Sequence, residues 1–317
     1  MAVRGKTQSA FGRIGVLMGG PSSERRISLK SGKAVYAALR QAGLQAFPVD
    51  IKTDDIEENL ALLKSVSPDC AFLALHGRFG EDGQIQGLLE RLKIPYTGSG
   101  VLASRLAMDK TASRQIFELH GLHVPRHIVI RKGSVNPARS LVNGLKFPLV
   151  IKPVSAGSSI GLSIIKKEAG LAKALDLALG FDQRVIIEEY IEGREVTVGI
   201  LDKQALPVIE IVPRKGFFDY RSKYIPGLTR YRVPAKLKDD ITGKIKKAAL
   251  SAHKLLGCSG CSRADMILSK DNLVFILELN TIPGLTSMSL LPRAAKRAGI
   301  DFMDLCLKLI KLAYEKV

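Results

Sequence analysis

The chain of 317 residues has no tryptophan, and aromatics make up only 6% of it. Sequence-tolerant binding of single-stranded nucleic acid relies on stacked aromatic rings, so that function would have to rest on charge alone. Acidic residues are indeed in deficit: 48 Lys and Arg against 30 Asp and Glu give a net charge of +18. The cations are scattered along helical faces, as at Lys244, Lys246, Lys247, Lys308 and Lys311, and do not interleave with aromatics. A generally positive surface equally suits a protein whose substrate is a polyphosphate, and no nucleic-acid partner is expected. No stretch approaches the roughly 18 to 20 apolar residues of a membrane span, so no membrane association is expected either. The opening MAVRGKTQSAFGR is basic and polar without an apolar core. It reads as a leader to the first strand, not a secretory signal, and the expected location is cytoplasmic. Four cysteines are too few for a disulfide framework. Cys258-Ser-Gly-Cys261 has the spacing of redox and metal pairs, but no second pair or His cluster completes a zinc site. A structural role is expected, with Cys258 after a helix-ending Leu-Gly and Cys261 opening a strand.

What is present suits a globular chain of two or three packed units. Arg13 to Gly20 is an apolar run ending in glycines, followed by a helical pattern with Ile27, Val35 and Leu39 on one face. Ala46 to Ile51 and Asp69 to His76 read as further strands, the latter with no alternation. Strands apolar on both faces belong in parallel sheets covered on both sides. The first part is therefore expected to be a doubly wound α/β domain, with ligands beyond the carboxyl ends of its strands, where Gly19-Gly20 and His76-Gly77 fall. After a boundary near residue 105 comes a helix around Lys110 to His120, and then the pattern changes. Phe147 to Lys152, Gly161 to Lys166 and Val185 to Ile191 read as strands. Val196 to Leu201 pairs with Ala205 to Val212 through the turn Asp202-Lys203, and Arg263 to Leu268 pairs with Leu273 to Leu279. Two helices, about 286–298 and 301–315, close this α+β part with its largely antiparallel sheets. The segment 214–231 has no period and is rich in aromatics and cations, the composition of a functional lid.

Several clusters carry chemistry. Ser155 to Gly161 is a Gly/Ser loop joining two strands; it either wraps an anion with backbone N–H groups or is a flexible hairpin. The P-loop pattern is absent. Glu278 and Asn280, two apart on a strand, share a face, and a hairpin partner would bring Asp265 beside them. Three oxygen donors on one face suit Mg²⁺ shared with nucleotide phosphates; the alternative is an outward polar stripe. Asn280-Thr-Ile-Pro-Gly284 leads toward a helix whose start offers free N–H groups to an oxyanion, with Arg263 adjacent. Lys152 sits inside an apolar strand and needs a counter-charge, from a phosphate or from a structural carboxylate. Lys110, Glu24 and His76 lie where a site would be, yet singly each could be incidental.

Taken jointly and in this order, the motifs resemble the D-alanine–D-alanine ligases over residues 13–315. They are Gly19-Gly-Pro-Ser-Ser-Glu24-Arg-Arg-Ile-Ser-Leu, Ala74-Leu-His76-Gly-Arg-Phe-Gly-Glu-Asp-Gly83, Pro95-Tyr-Thr-Gly-Ser-Gly100, Met108-Asp-Lys110 and Leu277-Glu-Leu-Asn-Thr-Ile-Pro-Gly-Leu-Thr-Ser-Met-Ser-Leu290. The resemblance implies an N-terminal α/β domain (1–105) followed by a two-part ATP-grasp fold, 106–187 and 188–317, the latter with the lid 214–231. It implies that Lys110 and Lys152 contact the phosphates of ATP, that Ser158 and Ser159 cover them, that Glu188, Glu189, Tyr190 and Ile191 hold the adenine, and that Glu195 holds the ribose. Asp265, Glu278 and Asn280 would hold two Mg²⁺ ions, for which Mn²⁺ could substitute; K⁺ is a further candidate ion. Glu24 would hold the ammonium of the first D-alanine, and His76 lies near the substrates. Lys223, Ser289 and Leu290 would surround the carboxylate of the second. Arg263 and the N–H of Gly284 would stabilise the oxyanion, and Ser158 and Tyr224 complete the catalytic set. The implied reaction runs through an acyl phosphate to D-alanyl-D-alanine, ADP and phosphate, for peptidoglycan precursors, in a homodimer. Rival readings are a D-alanine–D-lactate ligase, against which Tyr224 speaks, and another ATP-grasp carboxylate–amine ligase. The sequence departs from the family at Ala156, where an acidic residue is common, at Glu189, where a basic one is common, and at Met288, commonly polar. No role is implied for residues 1–12.

Overall fold

The computed structural model describes residues 11–133, 142, 144–157, 159–214 and 227–316. The expectations placed on Ser158, Lys223, Tyr224 and most of the segment 214–231 lie outside these residues.

Three sheets organise the described residues. The first has strand order β2-β1-β3, all parallel, from β1 (Arg13–Gly19), β2 (Gln45–Ile51) and β3 (Cys70–Leu73). Strand β1 is buried from Ile14 to Gly19 because both faces are covered, which is why its sequence shows no alternation. On one face Ile14, Val16 and Met18 pack with Val35 and Leu39 of helix α1 (Arg25–Gln41). On the other, Leu17 packs with Leu60 and Leu63 of α2 (Ile56–Val66) and with Ile85 and Leu89 of α3 (Gln84–Arg91). This is the doubly wound arrangement read from the sequence.

Helices α4 (Val101–Met108) and α5 (Lys110–Leu119) lead to the second sheet. Its antiparallel order is β4-β7-β5-β6, from β4 (His127–Arg131), β5 (Leu149–Pro153), β6 (Ser163–Ile165) and β7 (Arg184–Glu189). Alternation decides its faces. Leu149, Ile151, Val185 and Ile187 bury against α6 (Leu171–Leu179), so Val150, Lys152 and Glu188 point to the opposite side.

The third sheet is antiparallel with order β11-β10-β8-β12-β13. Its strands are β8 (Gly193–Leu201), β9 (Gln204–Ala205), β10 (Ile209–Pro213), β11 (Thr229–Arg232), β12 (Cys261–Ser269) and β13 (Val274–Asn280), with β9 beside β8. Helix α7 (Asp239–Leu255) packs Ile241, Ile245, Ala249 and Ala252 under Val196, Val198, Ala264, Met266 and Ile276. The chain closes with α8 (Leu290–Arg297) and α9 (Phe302–Tyr314). Leu305, Cys306, Leu309 and Ile310 of α9 join the core under Ile14 and Val16, so the last helix completes the first sheet.

Some local readings shift. The strand expected over Ala205 to Val212 is broken at Pro207, which has no N–H to give a ladder, leaving β9 and β10. The helix expected from residue 286 starts at Leu290, because Thr286 and Ser289 hold each other in a turn, Ser289 N donating to Thr286 O at 2.9 Å and Thr286 N to Ser289 Oγ at 3.1 Å. Gly284 is therefore in a loop and its N–H is not a helix-terminal one. The cysteines are all free; Cys258 lies beyond α7 and Cys261 opens β12.

Two glycines in helices make opposite predictions. A Cβ on Gly32 of α1 would fall inside contact distance of the Met18 side chain on β1, whereas one on Gly87 of α3 meets only Val101 Cγ2, at 3.9 Å. Gly32→Ala should destabilise by about 1–3 kcal/mol through overpacking, and Gly87→Ala should stabilise by roughly 0.5–1 kcal/mol. Urea unfolding followed by circular dichroism would show midpoints moving in opposite directions.

Candidate active site

The three sheets leave two adjoining cavities. One, of about 360 Å³, lies between the free faces of the second and third sheets and is lined by Lys152, Glu188, Tyr190, Ile191, Glu195 and Asp265, among others. The other, of about 370 Å³, opens between the carboxyl end of the first sheet and the segment 278–290; Glu24, His76, Glu81, Arg263, Gly284 and Ser289 line it. Lys110 and Glu278 line both.

The carboxylates come from the hairpin β12–β13. Asp265 is directly opposite Glu278, and Arg263 opposite Asn280, so alternation sends all four to one face. A register irregularity follows between Asp265 and Met266: Met266 pairs with Ile276, and Leu277 is the extra residue. Such a bulge lets consecutive residues turn the same way, and both Leu277 and Glu278 line the first cavity while Leu279 stays in the core. Two carboxylates side by side repel, and cations answer them. Arg263 binds Asp265 with both arms, Nε to Oδ1 at 2.8 Å and Nη2 to Oδ2 at 2.7 Å. Thr197 Oγ1, opposite Asp265 on β8, donates to Oδ1 at 2.7 Å, and Asn280 Nδ2 donates to Oδ2 at 3.2 Å. Lys110 Nζ lies 3.5 Å from Glu278 Oε2.

Lys110 owes its position to a cap. Asp109 closes α4 and opens α5, its Oδ1 accepting from Thr111 N and Ala112 N at 2.9 and 3.1 Å. Burial alone would raise the Asp109 pKa, but the Arg184 guanidinium at 2.7 Å and these N–H groups hold its carboxyl below the usual range. Lys110 follows, buried, donating to Ala156 O at 2.9 Å and so tying the backbone of the Gly/Ser loop to the helix. Lys152 Nζ meets Glu188 Oε1 at 2.8 Å, both buried. Desolvation pushes Lys152 down to about 8 although Glu188 opposes it, and Arg114 adds to the push. Glu188 is held low: burial raises it, but the charges of Arg114 and Lys152 outweigh that.

In the second cavity His76 Nε2 is 3.0 Å from Ser31 Oγ, and burial lowers its pKa to about 4, so the ring is neutral at neutral pH. Ser31 Oγ also accepts from Leu285 N at 3.3 Å, joining α1 to the loop of Gly284. That loop needs its glycine: a Cβ on Gly284 would stand 2.9 Å from Ser289 Oγ. Glu24 lies between two backbones, close enough that a Cβ on Gly157 or on Gly77 would meet its Oε2 at 2.8 or 3.1 Å.

The expected residues thus gather at the two cavities: Lys110, Lys152, Ser159, Glu188, Glu189, Tyr190, Ile191, Glu195, Asp265 and Glu278 at the first, and Glu24, His76, Arg263, Asn280, Gly284, Ser289 and Leu290 at the second. Glu189 turns its carboxylate to Lys146 N, at 2.9 Å. Among the described residues no group of three or more His, Cys, Asp or Glu forms a metal cluster. The donor set is instead two opposed carboxylates and an amide, all offering hard oxygen, which fits Mg²⁺ that keeps water and phosphate oxygens as its other ligands.

The sequence reading passed over Glu81, Arg114 and Thr197. Glu81 Oε2 accepts from Gly77 N at 2.6 Å, and the spacing from His76 within one motif was the available signal. Arg114 was marked by a cation on the buried face of α5, four residues after Lys110. Burial foremost, and then the charge of Glu24, raise Glu81 from 4.5 to about 8, against the pull of Gly77 N–H and Arg263. A carboxyl raised by folding makes the native state bind more protons than the unfolded chain between those two values, so stability falls as pH rises through that window and the cost is complete above pH 8. Glu81→Gln should flatten the decline of the thermal midpoint between about pH 5 and 8, measured in matched buffers.

Known proteins match this arrangement. A family model described as the D-ala D-ala ligase C-terminus matches residues 116–311, and one described as the D-ala D-ala ligase N-terminus matches residues 56–99. The chain is 46% identical over 312 residues to the D-alanine–D-alanine ligase of Pelotomaculum thermopropionicum, covering 96% of this chain and 97% of that one. Among solved structures, the D-alanine–D-alanine ligase of Bacillus anthracis complexed with ATP superposes with a TM-score of 0.85 at 35% identity, over 96% and 98% of the two chains. The VanG D-Ala:D-Ser ligase of Enterococcus faecalis superposes with a TM-score of 0.82 at 32% identity, over 95% and 99%. With two opposed carboxylates, two buried lysines and adjoining cavities in this setting, the chain belongs to the D-alanine–D-alanine ligase family.

Proposed function

We propose that the chain joins two D-alanine molecules with ATP, giving D-alanyl-D-alanine, ADP and phosphate, as a cytoplasmic homodimer that supplies peptidoglycan precursors. One observation carries the reading: Lys110 and Glu278 belong to both cavities, so a nucleotide in one would end its phosphate chain where an amino acid in the other begins. In this scheme residues 1–105, 106–187 and 188–317 are the three working units.

A carboxylate is a poor electrophile, so the first alanine must be activated. Its carboxylate oxygen attacks the γ-phosphorus, the bond to ADP breaks, and an acyl phosphate forms. Lys110 and Lys152 are buried cations that would meet the negative charge spread over the phosphoryl oxygens. Glu24 would hold the ammonium of this alanine, Glu188, Glu189, Tyr190 and Ile191 the adenine, and Glu195 the ribose. Asp265, Glu278 and Asn280 would hold two Mg²⁺ ions, which when bound neutralise phosphate charge; Mn²⁺ could replace them, and K⁺ is a further candidate. The amine of the second alanine then attacks the carbonyl carbon, loses its proton, and phosphate leaves. Arg263 and Gly284 line the second cavity, where the guanidinium and the Gly284 N–H would stabilise the oxyanion formed from the carbonyl oxygen, and Ser289 and Leu290 would frame the second carboxylate. Ser158, Lys223 and Tyr224 enter the same scheme as residues around the substrates.

The test is a coupled assay with ATP, Mg²⁺ and D-alanine, measuring phosphate and dipeptide together, with L-alanine, D-lactate and D-serine as parallel second substrates. Dipeptide and phosphate should appear in equal amounts, L-alanine should be inert, and Glu278→Ala should abolish both products. Arg263→Ala should lower kcat by about 10²–10³-fold, the usual effect of losing an oxyanion partner. ATP binding without either product in the presence of D-alanine would sink the substrate assignment.

A further inference from the structure

Arg114 stands behind the first cavity without lining it. It is 1% exposed, on α5 one turn after Lys110. Its Nη2 pairs with Glu188 Oε2 on the second sheet, and the same nitrogen reaches Leu277 O on the third, at 3.4 Å. Glu188 Oε1 takes Lys152 Nζ at 2.8 Å. The Arg114–Glu188 contact is an ion pair: Nε and Nη1 of Arg114, and Glu188 Oε2, have no hydrogen-bond partner among the described residues.

A guanidinium so deeply buried, with donors unmet, is costly, and an apolar side chain would pack there at lower cost. Its justification must lie in what it holds. Lys152 and Glu188 alone would be a closed neutral pair, with the ammonium free to follow either carboxylate oxygen. With Arg114 fixed on one oxygen, the carboxylate has one orientation and Lys152 one place to bind. Two cations on one anion also leave a net positive charge facing the cavity. The contact to Leu277 O is the second half of the argument: Leu277 is the bulge residue beside Glu278, so one nitrogen spans the two sheets that wall the cavity.

We infer that Arg114 is a positioning residue for the nucleotide, a buried strut that sets Glu188 and Lys152 and fixes the spacing of the two sheets around the polyphosphate. This rests on the reading of the first cavity as the ATP site.

The experiment compares Arg114→Met, Arg114→Lys, Lys152→Ala and Glu195→Ala in the full-length enzyme, by steady-state kinetics and by calorimetry with ATP and Mg²⁺. Arg114→Met should raise KM for ATP by at least about tenfold, since removing one partner of a buried ion pair leaves the other charge unmatched, with kcat and KM for D-alanine nearly unchanged. Arg114→Lys should restore most of the affinity. The pH profile separates positioning from mere packing. Lys152 is faced by Glu188, Arg114 and Glu278, and ATP affinity in the natural enzyme should decline as pH rises past about 8. Without the charge of Arg114 that decline should move to higher pH. If Arg114→Met does not fold, Arg114→Gln, which keeps a donor for the buried carboxylate, gives the same readout. A folded Arg114 variant with unchanged ATP affinity, beside a weakened Lys152→Ala, overturns the inference and leaves the ATP site standing. A raised KM with an equal fall in kcat and an unmoved pH profile also overturns it. If neither Lys152→Ala nor Glu195→Ala weakens ATP binding, the site reading itself fails.

Discussion

Two carboxylates held against each other on one face of a hairpin are the demand that the rest of this structure answers. Asp265 and Glu278 are register partners, so the sheet's own hydrogen bonding enforces their proximity. Like charges opposed across strands destabilise the pair, and each neighbouring element supplies a remedy. Strand β12 gives Arg263, β8 gives Thr197, and α5 gives Lys110. Each remedy needs support in turn: Lys110 requires the Asp109 cap, and Asp109 requires Arg184 from the second sheet. Charge pairs therefore join the second and third sheets and the helix between them at the site, in addition to the apolar clusters that run between the sheets.

The architecture also separates what is common to these enzymes from what distinguishes them. A ligase for D-Ala and D-Ser shares this fold nearly as closely as the ATP-bound relative from Bacillus anthracis does. The sheets are thus shared by relatives whose names give different second amino acids, so the fold alone does not fix that choice. Met288, two-thirds exposed, lines the second cavity away from the paired carboxylates.

The sequence made the strands of the first sheet legible because burial on both faces leaves no polar alternation to confuse. Asp265, Glu278 and Asn280 were legible because period two is rigid and the hairpin turn was plain. The bulge at Leu277 was not legible: an inserted residue in a strand has no composition of its own. The start of α8 was misplaced because Thr286 and Ser289, good helix-capping residues, spend their hydroxyls on each other. The break at Pro207 could have been read from its missing N–H. Helices 56–66, 84–91, 101–108, 171–179 and 239–255 carry ordinary amphipathic patterns with no chemistry to draw attention. Arg114 was hidden for a different reason: a cation on a helix is usually solvated, and only its partners, Glu188 at a distance of 74 positions and Leu277 at 163, reveal the burial.

The closing of α9 onto the first sheet has a consequence for how such a chain is made. Ile14, Val16, Val35 and Leu39 leave the ribosome early, yet Leu305, Leu309 and Ile310, which cover them, leave it almost three hundred residues later. Domains usually fold as units while synthesis proceeds, but the amino-terminal unit here holds an unfinished apolar face throughout. The core of the first sheet thus takes residues from both ends of the described chain.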